Sequence, residues 1–362
     1  MTQFRLALVE DNEQDIQTCK DSVSRYQDER HRDIELVAYR SVDEALKKLD
    51  NSFDGAIIDL KFDELGDEGN QVVRKITQSN FRIPIVIMTG TPSSADMNYD
   101  YVGVFKKGET EYVDILDRFW EIYDTGLTRI MGGRGAIEET LNHVFHKNMI
   151  PQMKAWVKHG KADSTRTEKA LLRHMLNHLL QLLDESADPC FPEEFYIYPP
   201  LSDGHKTGSI VKQEQANSVF VILTPACDLV TRANGEYKTD RILLVEIEPP
   251  QAVLEKALSG ISKEGKKGNQ RKDVFGNNYT FYYHWLPPTG FFRGGFLNFR
   301  KLTSIDKDQL ATGYESPKVQ ISPFFVKDIV ARFSSYYARQ GQPDIEYNPE
   351  ISQPMEPAQD GK

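Results

Sequence analysis

Five short apolar segments constrain this chain more than any other feature: FRLALVE (4–10), DIELVAY (33–39), GAIIDL (55–60), IPIVIMTG (83–90) and VGVFK (102–106). Each is mostly apolar without alternation, the pattern of strands buried on both faces. Helical patterns lie between them. Residues 13–29 read as a polar helix, and residues 69–79 carry a second apolar stripe in GNQVVRKITQS. Ser41 with Glu44 three residues later makes a capping box for a helix running to about Leu49. After the fifth segment, residues 111–126 form an amphipathic helix. Strands separated by helical crossovers predict a parallel sheet covered on both faces, the doubly wound α/β arrangement. In such sheets the chemistry sits outside the strands' carboxyl ends.

Those ends carry a coherent set of groups. Glu10 and Asp11 close the first strand, and Asp59 stands near the end of the third. Thr89 ends the fourth, and Lys106 with Lys107 ends the fifth. Phosphoryl transfer to a carboxylate needs a nucleophilic acid, further acids for a cation, a hydroxyl and a basic side chain. Mg²⁺ favours a few carboxylates together with water and phosphate oxygens, which suits Glu10, Asp11 and Asp59. The backbone carbonyl of Lys61 is a further candidate oxygen.

The order VEDN, IIDL, EGNQVVRKI, PIVIMTG and FKKG is similar to the receiver domain of bacterial response regulators, over about the first third of the chain. The resemblance implies that Glu10 and Asp11 are the metal acids, Asp59 the phosphoacceptor, Thr89 the switch hydroxyl and Lys107 the phosphate-contacting lysine. Lys107 is preferred to Lys106 because Gly108 then stands where the family usually has proline. The resemblance also implies Mg²⁺ as cofactor, and a histidine kinase or related ATPase as phosphodonor. Two positions depart from the pattern. Val104 occupies the place of the aromatic switch residue, and residues 91–101 are short for a full fourth helix. The Phe62–Gly69 segment adds Asp63, Glu64, Asp67 and Glu68, read here as a solvated loop.

The rest of the chain divides into a connector and a second globular part. MGGRG (131–135) is a glycine-rich break read as a linker, followed by helical patterns at 136–158 and 165–185. From Gly208 the character turns to β: GSIVK, SVFVILTPACDL, RILLVEI, YTFYYHWLP and GGFLNFRKL, with an Asn234-Gly235 turn signal. SKEGKKGNQRKD (262–273) reads as a flexible basic loop, and residues 322–341 as a closing helix. The expected domains are a receiver at 1–128, a helical connector at 129–190, an α+β effector domain with a β-barrel-like core at 191–345, and a Pro/Glu/Gln-rich disordered tail at 346–362.

Composition limits what the second part can do. The chain's net charge of −10 is carried by residues 1–130, with 16 Lys/Arg against 26 Asp/Glu, while the remainder holds 28 of each. A neutral second part lacks the basic excess of a dedicated DNA binder. No winged-helix or helix-turn-helix signature is present, so DNA binding is not expected. No run of eighteen apolar residues and no signal-peptide pattern occur, and Cys19, Cys190 and Cys227 are too scattered for a disulfide framework or zinc site. These features favour a cytoplasmic bacterial protein acting away from the membrane, with homodimerisation left open.

Three readings of the second part compete. GSIVK, VFVILTPACDL, RILLVEI and LNFRKLTSIDKDQL weakly resemble the PemK/MazF-type toxin barrel. That resemblance puts Thr224 at the catalytic hydroxyl position but Asn217-Ser218 where the Arg-Pro pair would stand. Cys227 beside Asp228 reads as a packed thiol sooner than a reactive one, and Asp228, Arg241 and His284 are candidates to gather around Thr224. Arg173 and His178 in LLRHMLNHLLQLL form the R-x4-H spacing found in HEPN-type ribonucleases, on a helix whose leucines already explain it as core. The third reading is a protein-interaction module controlled by the receiver, or an adaptor independent of phosphorylation. The aromatic runs FYIYPP, FYYHWLPP and FFRGGF favour a core-rich or protein-contacting surface, with Lys263, Lys266, Lys267, Arg271 and Lys272 in a solvated loop.

Overall fold

The protein is described from a computed structural model that covers residues 3–62, 67–181, 189–230, 232 and 237–339. It forms two compact units, Met1–Ser186 and Ala187–Lys362.

The first unit alternates strand and helix: β1 Phe4–Val9, α1 Glu13–Arg30, β2 Ile34–Tyr39, α2 Val42–Lys48, β3 Gly55–Ile58, α3 Asn70–Gln78, β4 Ile85–Thr89, β5 Gly103–Lys106 and α4 Tyr112–Asp124. All strand pairs are parallel, in the order β2-β1-β3-β4-β5. This is a doubly wound sheet whose order reverses between β1 and β3. Its two faces explain the unbroken apolar runs. Phe4, Leu6 and Leu8 pack with Ile16, Cys19, Val23, Ile115 and Phe119, under α1 and α4. Ala7 and Val9 turn to the other face and pack with Ala45, Val72, Val73 and Ile76, under α2 and α3. Each fully buried large side chain contributes about 1.5–3 kcal/mol. Phe4, Phe119 and Trp120 add tilted ring contacts at 5.3–6.1 Å.

One crossover departs from the doubly wound pattern. Between β4 and β5 there is only a three-residue 3₁₀ turn, Pro92–Ser94, with no α-helix. That segment is tied down by the buried Asn70, whose Nδ2 donates to the Ser94 carbonyl (2.9 Å) and whose Oδ1 accepts from the Asp96 amide (3.2 Å).

Chain turns after α4 into α5 Leu127–Met131, α6 Ala136–Val144, α7 Met153–Ala162 and α8 Ser164–Leu180. The glycine-rich MGGRG segment is not a loose joint. The Gly133 amide donates to the Asn51 carbonyl (3.1 Å), and Arg134 pairs with Asp54 at 2.6 Å. Its glycines answer steric need, because a Cβ on Gly133 would meet the Asn51 oxygen at 2.2 Å.

The second unit is built on β6 Tyr196–Ile197, β7 Ser209–Lys212, β8 Val219–Ile222, β9 Ile242–Glu248, α9 Pro250–Leu258, α10 Glu264–Phe275, β10 Tyr283–Leu286, β11 Gly295–Ile305, α11 Lys307–Gly313, β12 Val319–Ile321 and α12 Pro323–Ala338. Its strands form one curled antiparallel sheet in the order β10-β11-β9-β8-β7-β12-β6. The core of one face joins Ile210, Val221, Val245, Leu286, Phe299 and Ile321 to Ile329 of α12. Of the basic segment 262–273, expected as a loop, residues 264–273 lie within α10 and Lys263 is its N-cap. Its polar positions carry no periodicity, but Val274 and Phe275 at its end bury against α9 and Phe296, and the Phe275 ring meets Trp285 at 5.2 Å. The Asn234-Gly235 turn signal lies outside the described residues.

Gly69 is fixed by the close approach of α3 to the end of β3. A Cβ there would lie 2.0 Å from the Asp59 carbonyl oxygen and 2.8 Å from Leu60 Cα, both backbone atoms. Gly69→Ala is expected to lower the stability of the first unit by about 1–3 kcal/mol. Urea denaturation followed by tryptophan fluorescence measures it, and an unchanged midpoint would show that the loop yields freely.

Candidate functional site

The carboxyl edge of the parallel sheet gathers charge around one lysine. Register sets this up, because Val9 pairs with Ile58 and Thr89 with Lys106. The next residues out are Glu10, Asp59 and Lys107. The Lys107 Nζ lies 2.6 Å from Glu10 Oε2, 2.7 Å from Asp59 Oδ2 and 2.8 Å from Asp15 Oδ2. Glu10 and Asp59 are buried, at 2% and 4% exposure, so bulk water solvates neither carboxylate to any extent. Burial pushes Glu10 up to about 7, against the pull of Lys107. Burial opposes the charge on Lys107, but hydrogen bonds to Asp15, Asp59 and Glu10 outweigh it, and its pKa is raised.

The backbone orients the acids. The Lys61 amide donates to Asp59 Oδ1 (3.1 Å), and the Asn12 amide to Glu10 Oε1 (3.1 Å). Asn12 caps α1 by accepting from the Gln14 and Asp15 amides. Asp11 is exposed, yet carboxylate oxygens of Glu10, Asp11 and Asp59 lie within 4.8 Å of one another, and this cluster could hold a divalent cation. Thr89 is fully buried at the end of β4, and its hydroxyl receives the Thr91 amide at 3.3 Å. The Lys107 amide donates to the Thr89 carbonyl (3.0 Å), which fixes the lysine to the same edge.

Two expected members sit differently. Lys106 is on the surface, where its Nζ pairs with Glu109 at 2.6 Å. Strand alternation turns it away from the side that Lys107 serves. Lys61 contributes its amide to Asp59 in this structure. Of the added loop acids, Asp63 and Glu64 lie outside the described residues, Asp67 is exposed, and Glu68 Oε2 accepts from the Phe62 amide at 3.3 Å. Asp15 is the member that sequence reading missed. It lies in the first turn of α1, not at a strand end, and its link to Lys107 spans 92 positions.

The candidates of the second unit do not converge. Thr224 is buried, and its hydroxyl accepts the Leu243 amide at 2.7 Å while its carbonyl accepts from Thr207. A hydroxyl held this way splices β8 to β9. Asp228 pairs with Lys238 at 3.1 Å, and Arg241 bonds Ser304. Cys227 is exposed, contrary to the packed-thiol expectation, with its thiol 3.6 Å from Asp228 Oδ1. A loop position beyond the last residue of β8 gives it no core to enter. His284 lies on β10, three strands from β8 in the sheet order. In α8, His178 faces His174, Nε2 to Nε2 at 3.3 Å, while Arg173 is exposed on another side.

His284 is an instructive buried group. It is 3% exposed, and neither ring nitrogen makes a hydrogen bond among the described residues. Burial, with the Arg332 charge, pushes its pKa down to about 3. Asp328 lies 3.8 Å away but is 63% exposed, so solvent screens it.

The N-terminal part of the chain is similar to several solved structures. The N-terminal domain of a response regulator/sensory box/GGDEF 3-domain protein from Carboxydothermus hydrogenoformans is 20% identical, covering 34% of this chain and 98% of that one, with a TM-score of 0.28. A response regulator receiver domain protein from Clostridium thermocellum is 18% identical, covering 35% and 99%, with a TM-score of 0.29. A CheY-like receiver domain protein from Methanospirillum hungatei is 16% identical, covering 33% and 94%, with a TM-score of 0.27. No protein-family model matches the chain, and no curated protein matches it.

Two outcomes are expected. Lys107→Met leaves Glu10 and Asp59 buried without a counter-charge, and should cost about 3–5 kcal/mol, with part of the loss restored by millimolar divalent cation. Urea denaturation with and without the cation tests this, and wild-type stability in the variant would deny Lys107 its role. For His284 the native pKa lies below the unfolded value, so the unfolded chain binds the proton first and stability falls as pH drops below about 6.5. At pH 5 the loss is about 2 kcal/mol. His284→Phe should reduce the drop in melting temperature between pH 7 and pH 5, and an equal drop in both proteins would assign the acid sensitivity elsewhere.

Proposed function

We propose that this chain is a response-regulator-like signalling protein in which Asp59 accepts a phosphoryl group and the second unit delivers the response to a protein partner. The observation that carries the reading is the Lys107 ammonium shared by Glu10, Asp59 and Asp15 at the carboxyl edge of a five-stranded parallel sheet. A buried acid held by its own lysine, with a second acid, a third exposed acid and a buried hydroxyl beside it, is the equipment that aspartyl phosphorylation needs. In the proposed division, residues 1–128 receive the signal, 129–190 connect, 191–345 respond and 346–362 form a tail.

The transfer is a substitution at phosphorus. An Asp59 carboxylate oxygen forms the new O–P bond as the donor's bond to phosphorus breaks, and the bonding electron pair leaves with the donor. A histidine kinase or related ATPase supplies that phosphoryl group. Mg²⁺, held by Glu10, Asp11 and Asp59, would offset the negative charge of carboxylate and phosphoryl group as they meet. The Lys61 amide fixes the orientation of the Asp59 carboxylate. Lys107, already within 2.7 Å of Asp59, is in reach of a phosphoryl oxygen bound there. Thr89 supplies a hydroxyl at the neighbouring strand end as a hydrogen-bond donor for the phosphoryl group.

The response is assigned to protein contact for two reasons. The second part is charge-neutral in sequence, and Thr224, the residue required by the nuclease reading, has its hydroxyl spent on the Leu243 amide. No helix among the described residues is long and apolar enough to cross a membrane, in keeping with action in the cytoplasm.

Incubation of the full chain with acetyl phosphate and Mg²⁺, followed by intact mass measurement, should give one added phosphoryl group. Asp59→Asn and chelation by EDTA should each abolish the gain. No gain in the wild type, or a gain that survives Asp59→Asn, would leave the adaptor reading in its place.

A further inference from the structure

The second unit contains a cavity of about 750 Å³ at one end of its sheet. That is the volume of a small-molecule site. Its floor is made by neighbouring strands. Val219 of β8 pairs with Ile247 of β9, and Ile210 of β7 pairs with Val319 of β12. Ile210 also pairs with Val221, two residues from Val219, so these four side chains share one face. They make a continuous apolar row across four adjacent strands.

The wall is rigid. Pro249 and Pro250, at the start of α9, form one side. Phe291 and Phe292 form another, and their loop is pinned from three directions. The Phe291 ring stacks on Tyr198 at 4.2 Å and 3°. The Phe292 ring meets Tyr196 edge-on at 5.2 Å, and the Tyr196 hydroxyl donates to the Pro287 carbonyl at 2.7 Å. Gly294 closes the loop with φ +70, where a Cβ would lie 2.8 Å from the Leu286 oxygen. A wall held this way is present before any ligand arrives, which lowers the ordering cost of binding.

The rim carries charge, and its bookkeeping is uneven. Glu246 and Glu248 both pair with Lys301 at 2.9 Å, and Glu248 also accepts from Tyr283 and Asn298. Glu315 is shared by Lys212 at 3.3 Å and Lys318 at 3.9 Å. One acid serves two lysines there. Arg293, exposed on the aromatic loop, has no ion pair among the described residues. The cavity therefore offers an apolar interior, aromatic faces and cationic groups at its mouth with spare capacity for one anion.

We propose that this cavity binds a small ligand with an apolar or aromatic body and a single anionic head, the head seated on Arg293. Arg presents a planar fork suited to carboxylate or phosphate oxygens. The body lies over Ile210, Val219, Ile247 and Val319, and against Phe291 and Phe292. Binding there makes the second unit a ligand-responsive module in addition to a receiver-controlled one, and it does not depend on phosphorylation of Asp59.

8-Anilinonaphthalene-1-sulfonate, an aromatic sulfonate, is a direct probe. The full chain should bind it saturably, with one site per chain and a fluorescence increase. Arg293→Gln should weaken binding about tenfold or more, and Ser316→Trp, a rim substitution that narrows the mouth, should do the same. Near-UV circular dichroism on both variants checks that the fold is kept. Displacement by decanoate but not decyl phosphate would assign a carboxylate head, and the reverse a phosphate head. Non-saturable binding, or wild-type affinity in both variants, would overturn the proposal.

Discussion

The first unit depends on one ammonium group among three carboxylates. Two of those acids are buried, and a buried carboxylate without a partner costs several kcal/mol. Lys107 meets Glu10, Asp59 and Asp15 within 2.8 Å and supplies the compensation. One positive charge cannot fully neutralise two buried acids, and the residual strain shows in Glu10, raised to about 7 by burial. The rest of the architecture keeps these groups together. Parallel register brings the ends of β1, β3 and β4 level, the amides of Asn12 and Lys61 orient the acids, and Gly69 lets α3 start directly against the Asp59 carbonyl. Excess negative charge at a fixed site is a reason for it to take up a cation, and a neutralised site is one a phosphoryl group can approach.

What was legible in the sequence follows from burial. The strands of the first unit are covered on both faces, so their apolar runs are unbroken and hard to mistake. Their functional residues are legible because chemistry at a parallel sheet sits at strand ends. Asp15 escaped because it belongs to a helix, and its link to Lys107 spans 92 positions. The second unit was legible in its longer strands, but β6 and β12 have two and three residues, too short for any periodic signal. Helix α10 was hidden because only Val274 and Phe275 at its end are apolar, and those tertiary contacts hold a segment that its composition does not favour. The MGGRG segment misled for a related reason. Glycine marks a flexible joint and a tight packing contact equally well, and only the Asn51 oxygen beside Gly133 decides between them.

On the proposed reading, a change at Asp59 would spread through the contacts around it. Val104, at the position where receivers usually carry an aromatic residue, is part of the apolar face that also holds Tyr99 and Tyr101. A valine has no ring to swing between two positions. The β4–β5 crossover has no α-helix, and its 3₁₀ turn is tethered through Asn70 at the start of α3. Asn70 follows Gly69, and Gly69 touches the Asp59 backbone. A continuous chain of contacts thus runs from Asp59 through Gly69 and Asn70 to Ser94 and Asp96. Contiguity of this kind is a physical path for coupling, although coupling itself requires two states that the site biases differently.

The second unit reaches its stability differently, and that difference bears on what it can do. Its sheet is antiparallel and packs α12 on one face through Ile329, with Phe325, Val326, Val330 and Phe333 in the same cluster. Polar groups inside it are spent on structure: Thr224 joins β8 to β9, and Glu248 is saturated by Tyr283, Asn298 and Lys301. His284 sits neutral between aromatic and helical neighbours. Thr224 and Glu248, engaged in this way, are poor bases or nucleophiles, because each already has its partners fixed. What the unit leaves open is surface and shape: an apolar-floored cavity with an arginine at its mouth that makes no ion pair among the described residues. Its apolar floor and aromatic wall give that cavity the make-up of a recognition site.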